Sequence, residues 1–162
     1  MKPDLTPLVL EASPNWKDYQ LLDSGDGKTL ERFGPYLLIR PRPQAIWAKT
    51  LPASEWKKAH ALLVEEQQEY GGKWTMLNPM EKSWKLSYGK LQFQAQLSSS
   101  RHVGVFPEQA SHWDWMTERI TAARKPFKVL NLFGYSGLAS VAAVAAGAEV
   151  THVDNNYLYV YP

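Results

Sequence analysis

The sequence predicts an α/β protein in two parts, a small α+β part (strand-strand-helix-strand-strand) followed by the first βαβ unit of a doubly wound parallel sheet. Three observations predict this class. Short apolar runs bounded by Gly and Pro turns indicate strands between residues 19 and 97. Apolar residues at helical spacing interrupt these runs after Ser54. After residue 126, a strand, a small-residue helix and a second strand follow within about 30 residues, as in a βαβ unit with parallel strands.

The first half of the chain carries the predicted α+β part. Residues 19–23 and 36–40 are predicted to pair as a β-hairpin, connected by the Asp- and Gly-containing residues 24–28. Ser54 is predicted to cap a helix over residues 54–70 that stops at two glycines. The apolar face of this helix is predicted to contain Trp56, Ala59, Leu63 and Tyr70.

Three further strands and a second helix are predicted before the βαβ unit. Strands are expected at residues 74–77, 84–88 and 91–97. In the last of these, Gln alternates with apolar residues, which is typical of a sheet with one face in water. The helix is expected to begin at Pro107 and to end before Pro126.

The predicted βαβ unit occupies the end of the chain. It consists of a strand at residues 128–132, a turn at 133–137, a helix at 138–146 and a strand at 149–154. The change in pattern near residues 98–106 predicts a domain boundary there. We therefore expect an N-terminal domain over residues 1–104 and the start of a second, incomplete domain over residues 105–162.

The composition and the lengths of the apolar runs restrict which kinds of binding site and which cellular location we expect. Of the 162 residues, 44% are hydrophobic and 21% are charged, as in an ordinary folded protein. The chain contains no Cys, which excludes disulfides and thiolate metal sites, and no other metal site is predicted. The longest apolar run, residues 138–146, is far shorter than the ~20 residues of a membrane span, and residues 1–14 make a poor signal peptide. We expect a soluble cytoplasmic protein with no membrane partner.

The turn after the first strand of the βαβ unit is the predicted ligand site, because ligands bind at the carboxyl ends of such strands. The candidate binding residues there are Asn131, Gly134, Tyr135 and Gly137. Asp154 ends the second strand 20 residues after Gly134, where a carboxylate can accept hydrogen bonds from both hydroxyls of an adenosine ribose. The spacing therefore predicts a cofactor that contains a nucleoside.

The small number of glycines in this turn favours S-adenosylmethionine over NAD as that cofactor. A pyrophosphate needs bare backbone at the helix N-terminus, whereas Phe133 and Tyr135 place side chains there. S-adenosylmethionine has no phosphate, and Asn131 or the turn amides could hold its amino-acid tail. Two alternatives stay open: a nicotinamide-dependent enzyme, and a turn whose glycines only shape the backbone.

Three other motifs fit the sequence poorly. A serine-nucleophile elbow at Ser136 would need Gly where Leu138 stands. Residues 71–73 (GGK) lack the rest of a phosphate-binding loop. The Asp/Gly cluster that starts at Asp23 offers one carboxylate where a calcium loop needs about three.

Three segments carry a family resemblance. Residues 129–140 (VLNLFGYSGLAS) and 148–154 (AEVTHVD) resemble the first two motifs of class I S-adenosylmethionine-dependent methyltransferases. More narrowly, the N-x-F-x-Y-x-G turn resembles that of the ribosomal-RNA large-subunit cytosine methyltransferase group. Residues 104–109 (GVFPEQ) are similar to that group's G-F-F-L-D-Q-R segment, with Ala110 in the place of Arg. The resemblance implies a Rossmann-like domain, S-adenosylmethionine as cofactor, RNA as methyl acceptor, and Gln109 as a flanking cofactor contact.

The resemblance also implies that the chain is shorter than a complete methyltransferase. Only eight residues follow Asp154, and a complete domain of this class would continue with further strands and helices. We therefore expect a truncated methyltransferase with weak or no turnover and no catalytic residue of its own. The alternative is a non-catalytic RNA-binding or accessory module that uses Arg101, Arg119, Arg124, Lys125 and Lys128. The tail, residues 157–161, alternates Tyr with aliphatic residues as a strand would, and self-association through it is a further expectation.

Overall fold

The computed structural model describes residues 16–65 and 72–155, and it shows a mixed α/β chain with a β-sheet at its N-terminal end and a βαβ unit at the other. Over the described residues the sheet has five strands, β1 (Tyr19–Gly25), β2 (Lys28–Phe33), β3 (Tyr36–Pro41), β4 (Ala61–Glu65) and β5 (Gly72–Met76), in that order. β1, β2 and β3 form an antiparallel meander. β4 pairs parallel with β3 and antiparallel with β5.

The other elements in chain order are α1 (Ala53–Trp56), β6 (Ser83–Tyr88), β7 (Leu91–Gln96), a 3₁₀ turn (Pro107–Gln109), α2 (Ala110–Ala122), β8 (Lys128–Leu132), α3 (Leu138–Ala145) and β9 (Glu149–Val153). β6 and β7 form an antiparallel hairpin. β8 and β9 are parallel neighbours, and α3 connects them. The turn between β8 and α3 therefore lies at the carboxyl ends of the two parallel strands.

One hydrophobic core joins the N-terminal sheet to the βαβ unit. Phe33 and Leu38 of the sheet are fully buried, and they belong to the same cluster as Trp84, Trp113 and Leu138. Burial of such large apolar groups is the main force that stabilises a fold of this size. The predicted division at residue 104 stays a prediction, and the packed cluster extends across it.

The predicted pairing of the first hairpin is wrong. Residues 19–23 and 36–40 are both strands, but β2 lies between them and pairs with each. The sequence of β2 looks too polar for an inner strand because it contains Glu31, which is nevertheless only 3% exposed. Arg40 on β3 pairs with this carboxylate, with Nε 2.5 Å from Oε2 and Nη2 2.7 Å from Oε1. This ion pair allows a charged residue to sit inside the sheet.

The predicted helix over residues 54–70 is also wrong. Within the described residues 54–65 of that range, only those of α1 are helical, and the N-cap of α1 is Pro52 rather than Ser54. The chain then turns and forms β4, which the helical interpretation had included. Tyr70 lies outside the described residues.

Long-range strand pairing explains this difference. Ala59, Ala61 and Leu63 are buried at a spacing of two residues, which is the period of a strand. The His60 N–H donates a hydrogen bond to the Leu37 carbonyl at 2.7 Å, and His60 Nδ1 accepts one from the Leu37 N–H at 3.0 Å. These contacts dock the chain onto β3, so tertiary pairing overrides the helical spacing of the same apolar residues.

The remaining predicted elements are confirmed. β5, β6 and β7 correspond to the three predicted later strands, and the Gln side chains of β7 are exposed as expected. The helix predicted from Pro107 corresponds to the 3₁₀ turn and α2, and the βαβ unit is present with parallel strands. Among the described residues, every helix is too short or too polar to cross a membrane. The strand predicted at residues 157–161 lies outside the described part of the chain.

Candidate functional site

The turn between β8 and α3 has a strained backbone. Phe133 (φ +57°) and Tyr135 (φ +50°) both adopt the left-handed conformation, which side chains other than Gly rarely take. Gly137, at φ +83°, is the N-cap of α3. The Gly134 N–H donates a hydrogen bond to the Val153 carbonyl at 3.1 Å and ties the turn to the end of β9. Strained residues of this kind cluster at ligand-binding sites, which makes the turn a candidate site.

Asp154 lies against the same turn. Its Oδ2 accepts a hydrogen bond from the Tyr135 backbone N–H at 2.7 Å. The carboxylate at the end of the second parallel strand therefore faces the turn that follows the first, as its position in the sequence predicts. This hydrogen bond holds the negative charge of Asp154 next to the backbone of the turn.

A cleft of about 300 Å³ opens between this turn and the start of α2. Four of the six predicted residues line it, Gln109, Asn131, Gly134 and Tyr135. Gly137 and Asp154 are not among its lining residues. The other lining residues are Phe106, Trp113, Leu132, Phe133, Ser136, Leu138 and Ala139. The volume is at the lower end of the ~300–1,000 Å³ of small-molecule sites.

Aromatic rings form one wall of the cleft. The Phe106 and Tyr135 rings meet edge to face with centroids 5.0 Å apart. His102 extends the row, 4.2 Å from the Phe106 centroid. Burial, together with the positive charges of Arg40 and Arg101, holds the pKa of His102 below its ordinary value. His102 is therefore a neutral ring at neutral pH.

A polar network lies beneath the turn. Asn131 Nδ2 donates a hydrogen bond to Ser140 Oγ at 2.9 Å, and Ser140 Oγ is 3.0 Å from His152 Nδ1. Asn131 and His152 are direct neighbours on the two parallel strands, and Ser140 bridges them from α3. The network thus connects a residue of the cleft wall to both other elements of the βαβ unit.

The His152 ring also fixes the identity of residue 134. A Cβ at Gly134 would lie 2.9 Å from His152 Nε2 and closer still to Cε1 and Nδ1. Glycine is therefore required there by the packing of the protein itself. From the sequence, Gly134 is a candidate cofactor-binding residue, and that role stays a prediction.

Gln109 lies at the end of the 3₁₀ turn on the opposite side of the cleft. Its side chain is exposed, and Oε1 is 2.9 Å from His112 Nδ1. The next residue, Ala110, occupies the place of Arg in the related motif and is fully buried in the core. A small side chain at this position packs where a guanidinium would not fit without rearrangement.

The described residues contain no group of three or more His, Asp or Glu side chains placed to hold a metal ion. Asp23, the first position of the calcium-loop alternative, accepts hydrogen bonds from Thr50, Leu51 and Trp56 instead. Burial raises the pKa of this carboxyl, but the hydrogen bonds outweigh burial and hold the pKa well below its usual range. Asp23 thus anchors the loop that leads to α1.

Sequence reasoning missed three residues that shape the site, Phe106, Ser140 and His152. Phe106 lies inside the motif that suggested Gln109, but no sequence pattern shows that its ring meets Tyr135. A single His in a strand is more often a packing or surface residue, so residue type alone does not select His152. The alternation of β9 does place His152 on the same face as the half-buried Val150, and this was the signal that could have identified it.

Comparison with solved structures gives a match over nearly the whole chain. The crystal structure of the SAM-dependent methyltransferase from Agrobacterium tumefaciens matches with 42% sequence identity and a TM-score of 0.87, covering 94% of this chain and 48% of that one. A proposed SAM-dependent methyltransferase from Streptococcus mutans (17% identity, TM-score 0.62) covers 88% of this chain and 40% of its own. A proposed methyltransferase complexed with S-adenosylhomocysteine (SAH; 17% identity, TM-score 0.59) covers 88% and 39%. These last two show the shared fold.

The sequence matches no protein-family model, and no curated protein matches it significantly. The N-terminal sheet and the βαβ unit match part of the Agrobacterium methyltransferase, whose sequence is also similar. This chain therefore resembles the S-adenosylmethionine-dependent methyltransferases, and it spans about half the length of the Agrobacterium protein.

Proposed function

We propose that this chain binds S-adenosylmethionine and forms the cofactor-binding part of a methyltransferase that acts on RNA. The observation that carries the proposal is the hydrogen bond from the Tyr135 N–H to Asp154, because it joins a cleft-lining turn to a carboxylate on the next parallel strand. A Rossmann-like domain uses this arrangement to hold the ribose of a nucleoside cofactor. The 42% identity to a SAM-dependent methyltransferase supports the same assignment.

The two ends of the cofactor have different candidate partners. For the ribose we assign Asp154, and for the methionine end we assign Asn131, Gly134, Tyr135 and Gly137. Gln109 is a flanking contact from the opposite wall of the cleft. The first residues of α3 also line the cleft, and a helix N-terminus favours a negative group such as the carboxylate of the amino-acid tail.

The cleft residues suit a sulfonium cofactor. When bound, S-adenosylmethionine supplies a methyl group on a positively charged sulfur. Phe106, Trp113 and Tyr135 provide apolar surface that limits access of water to the cleft. Aromatic faces also attract positive charge. The chain's own contribution is to orient the cofactor, since positioning supplies much of the rate in transfers between bound groups.

The geometry of the turn favours this cofactor over NAD. Phe133 and Tyr135 keep side chains at positions with positive φ, where a dinucleotide fold has glycines that let the backbone meet the pyrophosphate. Phe133 lines the cleft and is 88% exposed, so a large side chain stands where a dinucleotide fold has bare backbone.

RNA as the methyl acceptor is supported by the surface beside the cleft. His102, Phe106 and Tyr135 form a row of rings, and Arg42 and Arg101 are exposed next to it. Single-stranded RNA is bound by stacking on aromatic rings and by cations along its backbone. This surface borders the cleft, as the binding surface of an acceptor base must.

A second candidate function is a non-catalytic RNA-binding module. Of the five residues predicted for this module, Arg101 lies beside the cleft, and the other four, Arg119, Arg124, Lys125 and Lys128, are exposed on α2 or near the start of β8. The start of β8 is about 13 Å from the cleft by the rise of a strand. RNA held by that group would not need to reach the cleft. Anisotropy of a labelled RNA oligonucleotide separates the two functions, with the double variants Arg42→Ala/Arg101→Ala and Arg124→Ala/Lys125→Ala. Stronger loss in the first pair supports acceptor binding, and stronger loss in the second supports the module.

Both RNA proposals also predict a dependence on salt. RNA binding through Lys and Arg releases counterions, so the affinity should fall as salt concentration rises. Binding that is insensitive to salt, or no binding at all, would argue against both.

Isothermal titration tests the cofactor proposal. We expect heat on addition of S-adenosylmethionine or SAH, and weaker binding of NAD. Asp154→Asn should reduce the affinity for SAH about tenfold, because the neutral amide loses the charge and one acceptor for the ribose hydroxyls. Asp26→Asn, which changes an exposed carboxylate far along the chain, is the matched control and should have no effect. No heat at millimolar SAH, or tighter binding of NAD, would contradict the proposal.

Catalytic turnover is tested separately from cofactor binding. Weak or no methyl transfer by the 162-residue chain stays a prediction, and it is measured with radiolabelled S-adenosylmethionine and total RNA as acceptor. Robust incorporation of label would show that this expectation is wrong, without affecting the cofactor proposal.

A further inference from the structure

We propose that Ser140 is a positioning residue: it orients the Asn131 amide so that the carbonyl oxygen faces the cleft and accepts a hydrogen bond from the ammonium group of the methionine part of S-adenosylmethionine. The inference rests on the proposed function, because it specifies how the same cleft recognises one end of the cofactor.

The hydrogen bonds around Asn131 determine which end of its amide is available. Nδ2 donates to Ser140 Oγ at 2.9 Å, so the nitrogen end points toward α3. Oδ1 accepts no hydrogen bond from any residue in the described part of the chain. Because Asn131 lines the cleft, the group it offers to a ligand is an acceptor.

His152 fixes the Ser140 hydroxyl in turn. A hydroxyl can accept one hydrogen bond and donate another, and Ser140 Oγ accepts from Asn131 and lies 3.0 Å from His152 Nδ1. The imidazole itself is held in place, because it packs against Gly134 with no room for a methyl group. Asn131, Ser140 and His152 are therefore linked by contacts that restrict the rotation of each side chain.

The orientation of the amide matters for an ammonium group. If Asn131 were rotated by 180° about its last torsion, an NH₂ donor would replace the carbonyl acceptor at the cleft and would repel a cation. With the His152 proton on Nε2, the Ser140 hydroxyl donates to Nδ1 and has only acceptor lone pairs left for Asn131, so it selects the orientation with Nδ2 toward α3. Without the Ser140 hydroxyl, this selection is lost. Loss of that hydroxyl should therefore weaken binding of the amino-acid end and leave the adenosine end unaffected.

Two nucleosides distinguish binding of the amino-acid end of the cofactor from binding of its adenosine end. SAH carries the amino-acid group, and 5′-methylthioadenosine has the same adenosine and thioether without it. We expect Ser140→Ala to lower the affinity for SAH about tenfold and to change that for 5′-methylthioadenosine less than twofold. Thr117→Ala, which removes an exposed hydroxyl from α2, is the control and should change neither. A role in packing alone would weaken both ligands equally.

A measurement without ligand tests the network separately. Exchange of the Asn131 side-chain amide protons with water, followed by NMR, should be at least about threefold slower in wild type than in Ser140→Ala, since a hydrogen-bonded proton is protected. Equal exchange rates, an unchanged SAH affinity, or equal losses for both nucleosides would overturn the positioning role while the proposed function stands. If the wild type binds neither nucleoside, the proposed function fails, and the exchange rates alone decide whether Ser140 holds Asn131.

Discussion

Gly134 and His152 are packed so closely that the identity of one residue restricts the other. The imidazole ring fills the space that a side chain at residue 134 would need, since a Cβ there would be less than 3 Å from three ring atoms. The same ring contacts Ser140 through Nδ1. This ring and the Gly134 N–H hydrogen bond to the Val153 carbonyl together fix the position of the turn on β9.

Gly134→Ala should destabilise the protein because the new methyl group has no space. We expect a loss of about 2 kcal/mol in the free energy of unfolding, as for other overpacked sites. Adding His152→Ala removes the ring and should recover at least half of that loss. Urea unfolding of wild type, both single variants and the double variant measures the coupling.

The same four proteins reveal what else Gly134 does. If the double variant regains stability but binds SAH more weakly than His152→Ala alone, the cofactor also needs bare backbone at residue 134. If single and double variants are equally destabilised, the close packing with His152 does not exist as described.

Phe133→Asn should not destabilise the protein, even though it removes a large apolar side chain. Phe133 is 88% exposed and has φ +57°, so it contributes little burial and carries backbone strain that Asn tolerates better. We expect the free energy of unfolding to stay equal or to rise by about 0.5 kcal/mol. A fall of more than about 1 kcal/mol would mean that the ring packs on the protein.

Arg40→Met should be one of the most damaging substitutions in the N-terminal sheet. It leaves Glu31 buried without its ion pair, and loss of one partner of a buried pair costs about 3–5 kcal/mol. Lys58→Met is the matched control, because its pair with Glu55 is exposed and worth less than about 1 kcal/mol. Thermal unfolding of both variants compares the two ion pairs, and similar losses would argue against the burial of Glu31.

The protein should lose stability in acid through two carboxyl groups. Burial raises the pKa of Glu31, but its pairing with Arg40 outweighs burial and lowers the pKa, and hydrogen bonds lower that of Asp23 in the same way. Groups with a lowered pKa in the folded state stabilise it fully above their ordinary pKa of about 4, and this contribution is lost as pH falls through the folded-state pKa. The free energy of unfolding should therefore decrease steadily below about pH 5.

The Asp23→Asn variant measures how much Asp23 contributes to the loss of stability in acid. The variant should be less stable than wild type at pH 7, and its stability should depend less on pH between about 5 and 2. Urea titrations at several pH values measure both effects. Identical pH profiles for variant and wild type would contradict a lowered pKa at Asp23.

Local sequence patterns were sufficient for the second half of the fold. The alternation of Gln in β7, the apolar stripe of α2 and the βαβ unit are confirmed because neighbouring residues in each element determine them. β2 was missed because its inner position depends on Glu31 meeting Arg40 from another strand. β4 was mistaken for a helix because Ala59 and Leu63 suit both periods, and only pairing with distant strands selects one.

The candidate site shows the same division between local and distant information. The contact between Asp154 and the turn follows from the βαβ spacing, and the structure contains it. The role of His152 beneath Gly134 depends on side-chain packing between β9 and the turn, which no spacing in the sequence reveals. The assignment of the six residues to a cofactor stays a prediction until binding is measured.

The cluster of rings around Trp113 has a consequence for dissecting this protein. Trp113 lines the cleft, and its ring also contacts Trp16 and Tyr88, with centroids 5.9 Å and 5.6 Å away. Cleavage of the chain at residue 104 would separate these rings and expose aromatic surface on both fragments. We expect each fragment to aggregate or unfold by itself. In the intact chain, tryptophan fluorescence should respond to changes in both the cleft and the sheet.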